Sequence, residues 1–329
     1  MQGKLTEADG QSVEATLGAV RERLSAGAFF WLDLEGLDAE ASDLLRKDFR
    51  FHPLAVEDAE HFGQRPKVDD FDGFTYLVLH GARASSGGES VTCEVHVFFS
   101  AKHVVTVHRG DGGLFDGVRQ RASRHRAAAG SSPAVSLLYL IVDDLVDTYF
   151  PVLAQLDDRI DALEDAILKQ PTEAQLGELF DMKRTLVALR KVVTPERDMF
   201  ARLLSGMNVL EGMTPEDERY FRDLYDHLIR ISDLIDSYRD LLTGAMDTHL
   251  STVSNRLNVV MKQLTIIATV FLPLSFLTGF FGQNFTLLTG HLLTQSWSFW
   301  VFGIGLELAV AAGLLYLFRR RGWMGGPTE

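Results

Sequence analysis

Between Gln263 and Leu306 the chain contains no Asp, Glu, Lys or Arg. Nothing else in the sequence limits its folding so strongly. Two apolar runs occupy this region, one from Leu264 to Phe281 and one from Trp297 to Phe318. Each has about 18–22 residues, enough at ~1.5 Å per residue to cross a ~30 Å hydrocarbon layer. Two membrane-spanning helices are therefore expected, at about residues 263–281 and 297–318, joined by an uncharged loop over 282–296.

Charge is distributed accordingly. The net charge is −13, and after Lys262 the only acids are Glu307 and Glu329, against three bases, Arg319, Arg320 and Arg321. A large acidic region thus precedes a small membrane part. Such a surface disfavours nucleic acid, which rewards Lys and Arg patches, and is compatible with attracting cations. A single cysteine, Cys93, rules out an internal disulfide and fits a reducing compartment. The N-terminal stretch MQGKLTEADGQSVEA has no apolar core, so no signal peptide is expected. The three arginines after the second run place the basic tail, 319–329, in the cytoplasm by the positive-inside tendency. Two crossings return the N-terminal region to the same side, which makes this a multi-pass protein with both termini cytoplasmic.

Residues 1–130 mix two periodicities. FFWLDL (Phe29–Leu34), FTYLVLHGA (Phe74–Ala82), VTCEVHVFFS (Val91–Ser100) and HVVTVH (His103–His108) are short, rich in β-branched and aromatic residues, and read as strands. ASSGGES (Ala84–Ser90) reads as a hairpin turn. Helical stretches are expected after Asp38, at Leu54–His61 and after Leu114. The expectation is a cytoplasmic α/β domain with one mostly antiparallel sheet.

From there the pattern is helical. Residues 131–212 read as long antiparallel helices. The first is one amphipathic segment from Ala134 to about Leu168, and the next is capped by Thr172 and bent at Pro195. Residues 213–281 read as one helix that starts at Thr214-Pro215-Glu216-Asp217 and continues into the first membrane span. Phe221, Leu224, Leu228, Ile231, Ile235, Tyr238 and Leu242 are spaced alternately by three and four, a heptad seam. A helix of this length, roughly 100 Å, needs neighbours or copies of itself. Beyond the seam, Asn258, Met261, Leu264, Ala268, Leu272 and Ser275 form a stripe of polar, small and apolar residues. Such a stripe lines a narrow lumen when helices are arranged in a ring. It equally suits an ordinary packing face with small residues at the contacts.

NVVMKQLTIIATVFLPLSFLTGFFGQNF, HPLAVEDAEHFGQRPKVDDFDGF, DDLVDTYFPVL and RDLYDHLIRISD, in this order and followed by a second span and basic residues, resemble the CorA family of divalent-cation transporters. Gly282-Gln283-Asn284 falls at the family's Gly-Met-Asn signature, with Gln in place of Met. The resemblance implies a funnel-shaped homopentameric channel for Mg²⁺ and Co²⁺ in the cytoplasmic (inner) membrane. The stripe above would line its pore and Asn284 would ring its outer mouth. It also implies regulatory cytoplasmic divalent ions held between subunits by Asp223 and an acid of the neighbouring α/β domain, matched best by Asp72 with Asp69 and Asp70 beside it. Partners are further copies of the chain, the bilayer and the ions. No cofactor beyond the transported and regulatory cations is implied. The zinc-associated ZntB branch tolerates other middle residues in the signature, which leaves a Zn²⁺ transporter as the alternative.

Glu307, about ten residues into the second span, is a candidate proton site or a hydrogen-bonded packing group. His80, Cys93, His96, His103 and His108 lie on separate strands without metal-ligand spacing. His291 in the outer loop is a further candidate zinc contact in a ring of copies. No P-loop, nucleophile elbow or catalytic triad is present, so the chain is not expected to be an enzyme. A membrane-anchored coiled-coil scaffold is the remote alternative to transport.

Overall fold

The computed structural model of the chain describes residues 1–7, 10–83, 92–110, 113–124, 132–283, 286, 288–292 and 295–323. It divides into two units, Met1–Met246 and Asp247–Glu329. The first contains strands β1 (Gly3–Glu7), β2 (Ser12–Glu14), β3 (Phe30–Glu35), β4 (Lys67–Phe71), β5 (Phe74–Ala82), β6 (Thr92–Phe99) and β7 (His103–His108). They form one sheet in the order β2-β1-β3-β7-β6-β5-β4. Every pairing is antiparallel except β3 with β7, which run parallel from Phe30↔His103 to Glu35↔His108. The expected hairpin turn at Ala84–Ser90 lies outside the described residues.

Both faces of the sheet are covered, as the near-continuous apolar run of β5 requires. Tyr76, Val78 and Phe98 pack with Val20, Leu44 and Val56 of helices α1 (Leu17–Ala26), α2 (Ala39–Lys47) and α3 (Pro53–His61). Leu77, Leu79, Val95 and Val97, at the alternate positions, join a second core. That core is shared with α4 (Asp116–Arg124), α5 (Pro133–Asp147), α6 (Tyr149–Lys169), α7 (Glu173–Leu204) and α8 (Pro215–Phe281).

The segment read as one helix from Ala134 is two, broken at Thr148. Pro151 has no N–H to offer the carbonyl of Asp147, and Thr148 turns its side chain to other work. Its hydroxyl bonds the Leu145 carbonyl and accepts the Ala82 N–H of β5 at 2.7 Å. Gly81 permits that approach, because a Cβ there would sit 2.9 Å from Thr148 Oγ1 and 3.0 Å from Cys93 Sγ.

The helix starts follow the expected chemistry. Thr172 caps α7 in a full capping box with Gln175. At α8 the Thr214 hydroxyl accepts the Asp217 N–H while Asp217 Oδ2 accepts the Thr214 N–H at 2.8 Å. Pro195 lies inside α7. The heptad seam of α8 from Phe221 to Leu242 is buried throughout, against α6 positions such as Leu156 and Ile160 and α7 positions such as Leu186 and Leu189.

Beside Pro195, Glu196 is fully buried. Its carboxylate accepts the His80 N–H of β5 at 3.0 Å and the Tyr149 hydroxyl of α6 at 3.2 Å. One side chain thus joins α7 to the sheet and to α6. Burial pushes its carboxyl up to about 8, and the two donors only partly oppose that rise.

The second unit contains the end of α8, two short π-helical segments at Leu288–Leu292 and Phe299–Gly305, the short α9 (Ser296–Ser298) and α10 (Leu306–Arg320). Pro273 lies within α8. Phe281 meets Phe302, and Phe318 stacks on Trp323.

Candidate functional site

Among the described residues, two helices are long and apolar enough to cross a membrane, the end of α8 and the segment Phe299–Arg320. The apolar end of α8 stays exposed in the single chain. Leu264 is 59% exposed and Leu272 73%. A water-facing helix of this composition would be strongly unfavourable, so lipid or further copies of the chain must cover it. Asn258, Met261, Ala268 and Ser275 are exposed as well. All six residues of the expected stripe are therefore exposed in the single chain.

Threonine hydroxyls in the apolar end of α8 bond back within the helix. The hydroxyls of Thr265, Thr269 and Thr278 donate to the carbonyls of Met261, Thr265 and Leu274 at 2.7–2.8 Å. The helix ends at Phe281. Gly282 N–H donates to the Thr278 carbonyl at 2.9 Å and Gln283 N–H to the Phe280 carbonyl at 3.3 Å, which closes the last turn. A Cβ on Gly282 would approach the Thr278 carbonyl oxygen to 3.0 Å, so the turn suits glycine. Gln283 is exposed. Asn284, the expected ring residue, lies outside the described residues. His291 is exposed on the loop.

Glu307 on α10 reaches the same end of α8. Thr278 Oγ1 lies 2.8 Å from Glu307 Oε1 and 2.8 Å from the Leu274 carbonyl. A hydroxyl has one hydrogen, so it serves one of these acceptors fully unless the glutamate side supplies a donor. An amide at position 307 can supply that donor. Glu307→Gln is therefore expected to keep cation flux within about twofold of the parent chain, whereas Glu307→Ala loses a cross-helix bond worth about 1 kcal/mol. Thermal unfolding in detergent and liposome flux check the pair. Loss of flux in Glu307→Gln, together with loss of dependence on a pH gradient, would instead assign the residue a proton role.

The expected regulatory acids are both exposed. Asp223 on α8 is 62% exposed, with His227 Nε2 4.0 Å from its carboxylate. Burial, reinforced by the carboxylates of Asp143 and Asp223, pushes the Tyr139 phenol up to about 12. Asp72 is exposed on the turn between β4 and β5. Its alternatives are engaged: Asp69 pairs with Lys67 at 2.8 Å, and Asp70 accepts from Asn208 at 2.9 Å and Thr75 at 3.1 Å. No hydrogen bond or ion pair joins Asp72 to Asp223 among the described residues.

A wider pattern escaped the sequence reading. Asp223, Asp226, Asp233, Asp240 and Asp247 are all exposed on α8. The four from Asp226 repeat every seven residues, opposite the buried seam. Met261, Ala268 and Ser275 continue that count of seven. The signal lies in the spacing of charged residues, which an apolar periodicity does not register.

The strand histidines form polar pairs. His96 Nε2 lies 3.0 Å from Glu94 Oε1 and His80 Nε2 4.0 Å from Glu94 Oε2, while His108 Nε2 lies 3.3 Å from the buried Asp33. Burial holds His80 down to about 4. Cys93 falls on the opposite face of β6 from His96. Among the described residues no group of three or more His, Cys, Asp or Glu is placed to hold a metal ion.

Comparison with known proteins matches residues 26–320 to the family described as CorA-like Mg²⁺ transporter protein. The cobalt/magnesium transport protein CorA of Thermotoga maritima is 34% identical over 298 residues, covering 89% of this chain and 83% of that one. The zinc transport protein ZntB of Yersinia enterocolitica is 28% identical over 262 residues, covering 79% of this chain and 77% of that one. Among solved structures, the CorA magnesium transporter of Methanocaldococcus jannaschii superposes with a TM-score of 0.81 at 22% identity, covering 98% of this chain and 99% of that one.

Proposed function

This chain belongs to the CorA-like Mg²⁺ transporter family, and from that premise we propose that it carries Mg²⁺ and Co²⁺ into the cytoplasm across the cytoplasmic membrane as a homopentameric channel. The observation that carries the reading is the exposed stripe of α8, Asn258 to Ser275, which leads along a membrane-length helix to the Gly282-Gln283 turn. Five copies around an axis would face their stripes inward and bring five Asn284 amides to the outer mouth.

The chemistry suits Mg²⁺. This ion prefers oxygen ligands and gives up its water reluctantly. Amide oxygens of Asn284 and carbonyls near Gly282 hold a hydrated ion without stripping it. The acidic positions of α8 then concentrate cations on the cytoplasmic side. Asp223 of one copy and Asp72 of the next bind cytoplasmic divalent ions and hold the pore closed when those ions are plentiful. Both carboxylates are exposed and uncommitted to strong ion pairs, which supports this assignment.

Flux into liposomes comparing Mg²⁺, Co²⁺, Ni²⁺ and Zn²⁺ tests the proposal. Mg²⁺ and Co²⁺ are expected to move down an electrical gradient without a pH gradient. Asp72→Ala/Asp223→Ala is expected to keep conducting at internal Mg²⁺ levels that silence the parent chain. Zn²⁺ flux driven by a pH gradient, with no Mg²⁺ flux, would favour the second reading. That reading is a ZntB-type zinc transporter, supported by the 28% identical relative and by Gln283 in the signature position.

A further inference from the structure

In the first unit a cleft of about 430 Å³ lies between α7 and α8. Its rim carries four cations, Arg65 from the loop before β4, Arg190 and Lys191 from α7, and Arg239 from α8. Its floor is apolar, formed by Leu186, Pro195 and Ile235. Leu186 and Ile235 are buried, so the floor is fixed by the helix core beneath it.

The charges do not cancel. Asp236 Oδ1 lies 2.9 Å from Arg190 and 3.4 Å from Arg239, so one carboxylate serves two guanidinium groups. Arg239 also meets Asp240 at 3.3 Å. Arg65 and Lys191 have no ion-pair partner among the described residues. In a chain of net charge −13, this is a local excess of positive charge at the mouth of a pocket. Guanidinium groups present paired N–H donors that match phosphate oxygens, and Lys adds a mobile point charge. A flat ring suits the apolar floor, and the volume falls within the range of small-molecule sites, roughly 300–1,000 Å³.

We propose that this cleft binds a nucleoside triphosphate, its base against Val187 and Pro195 above the buried Leu186 and Ile235, and its phosphates against Arg65, Arg190, Lys191 and Arg239. The bound molecule would tie α8 to α7 and to the loop before β4. Since α8 runs on to Phe281, occupancy of the cleft would bias the helix that forms the transport path. Binding itself does not depend on the transport reading.

The test uses the full-length protein purified in detergent, with ATP as the probe and EDTA present so that no divalent ion mediates the contact. Equilibrium dialysis should show saturable binding that weakens as salt is raised. Arg65→Glu/Lys191→Glu should weaken it at least tenfold. Both residues are exposed and unpaired, and circular dichroism and sedimentation should match those of the parent chain. AMP should bind more weakly than ATP, and inorganic tripolyphosphate should also bind more weakly because it leaves the floor empty. No saturable ATP binding, or binding unchanged by the double charge reversal, overturns the proposal. Equal affinity for tripolyphosphate overturns the nucleoside part of it. Because the readout is binding, these results stand apart from the flux measurements.

Discussion

Asn284→Ala is expected to lower Mg²⁺ flux at least about 100-fold while leaving expression, assembly and thermal stability unchanged. α8 closes its last turn through Gly282 and Gln283, whose N–H groups are already committed to Thr278 and Phe280. Asn284 is the next residue, and its amide brings an uncharged oxygen ligand. In the proposed ring of five, each amide lost forfeits roughly 1 kcal/mol of contact with a hydrated ion. Loss of all five together exceeds the ~2.7 kcal/mol that separates a 100-fold change in affinity. Liposome flux with a fluorescent Mg²⁺ indicator measures it. Undiminished flux in the variant would remove Asn284 from the transport path, and a protein with no flux in either form would match the scaffold alternative. Gln283→Met in parallel reports whether the middle residue of the signature sets ion preference.

Glu196→Gln is expected to stabilise the folded chain at alkaline pH and to flatten its stability against pH. The carboxyl has an ordinary value near 4.5 and is pushed up to about 8 in the folded chain. Between those values the folded chain holds a proton that the unfolded chain has released, so stability falls as pH rises from about 4.5 to 8. Above 8 the full cost is present, on the order of 5 kcal/mol for a shift of this size. Below 4.5 both states are protonated and the cost is absent. The Gln variant carries a neutral amide of the same shape that still accepts the His80 N–H, so it escapes the cost. Urea unfolding from pH 5 to 9 checks this. The difference between parent and variant isolates Glu196, since other groups contribute alike to both. An equal slope in the two proteins would show that Glu196 does not titrate with folding.

The sequence was most legible where one period runs uninterrupted. The seam from Phe221 to Leu242 repeats by threes and fours for three heptads, and each of its residues is buried. The membrane helices were legible because absence of charge over a long stretch has few other physical solutions. The N-terminal strands were not. GKLTE and SVE are short, and SVE is exposed throughout, so only pairing with β3 through β1 makes a strand of it. The break at Thr148 was hidden because Pro151 lies where a helix start tolerates proline. Of the candidate residues, the stripe from Asn258 to Ser275 and the turn at Gly282 could be read locally. Glu196 and the cations of the cleft could not. Glu196 matters through His80 and Tyr149, and Arg65 meets Arg190 and Arg239 only after the chain has folded.

The threonine hydroxyls of the membrane segment carry a consequence for wetting. Thr265 and Thr269 each spend their hydrogen on a carbonyl one turn earlier. What remains for anything beside the helix is a methyl group and a half-satisfied oxygen. In the proposed ring of copies, a wall from Met261 to Leu272 would therefore be drier than its composition suggests. In a narrow lumen lined this way water evaporates before side chains touch, and the gap refills when the helices part slightly. Such a passage needs no plug. A small change in width decides whether it holds vapour or liquid, and an ion that must keep its hydration shell crosses only the liquid.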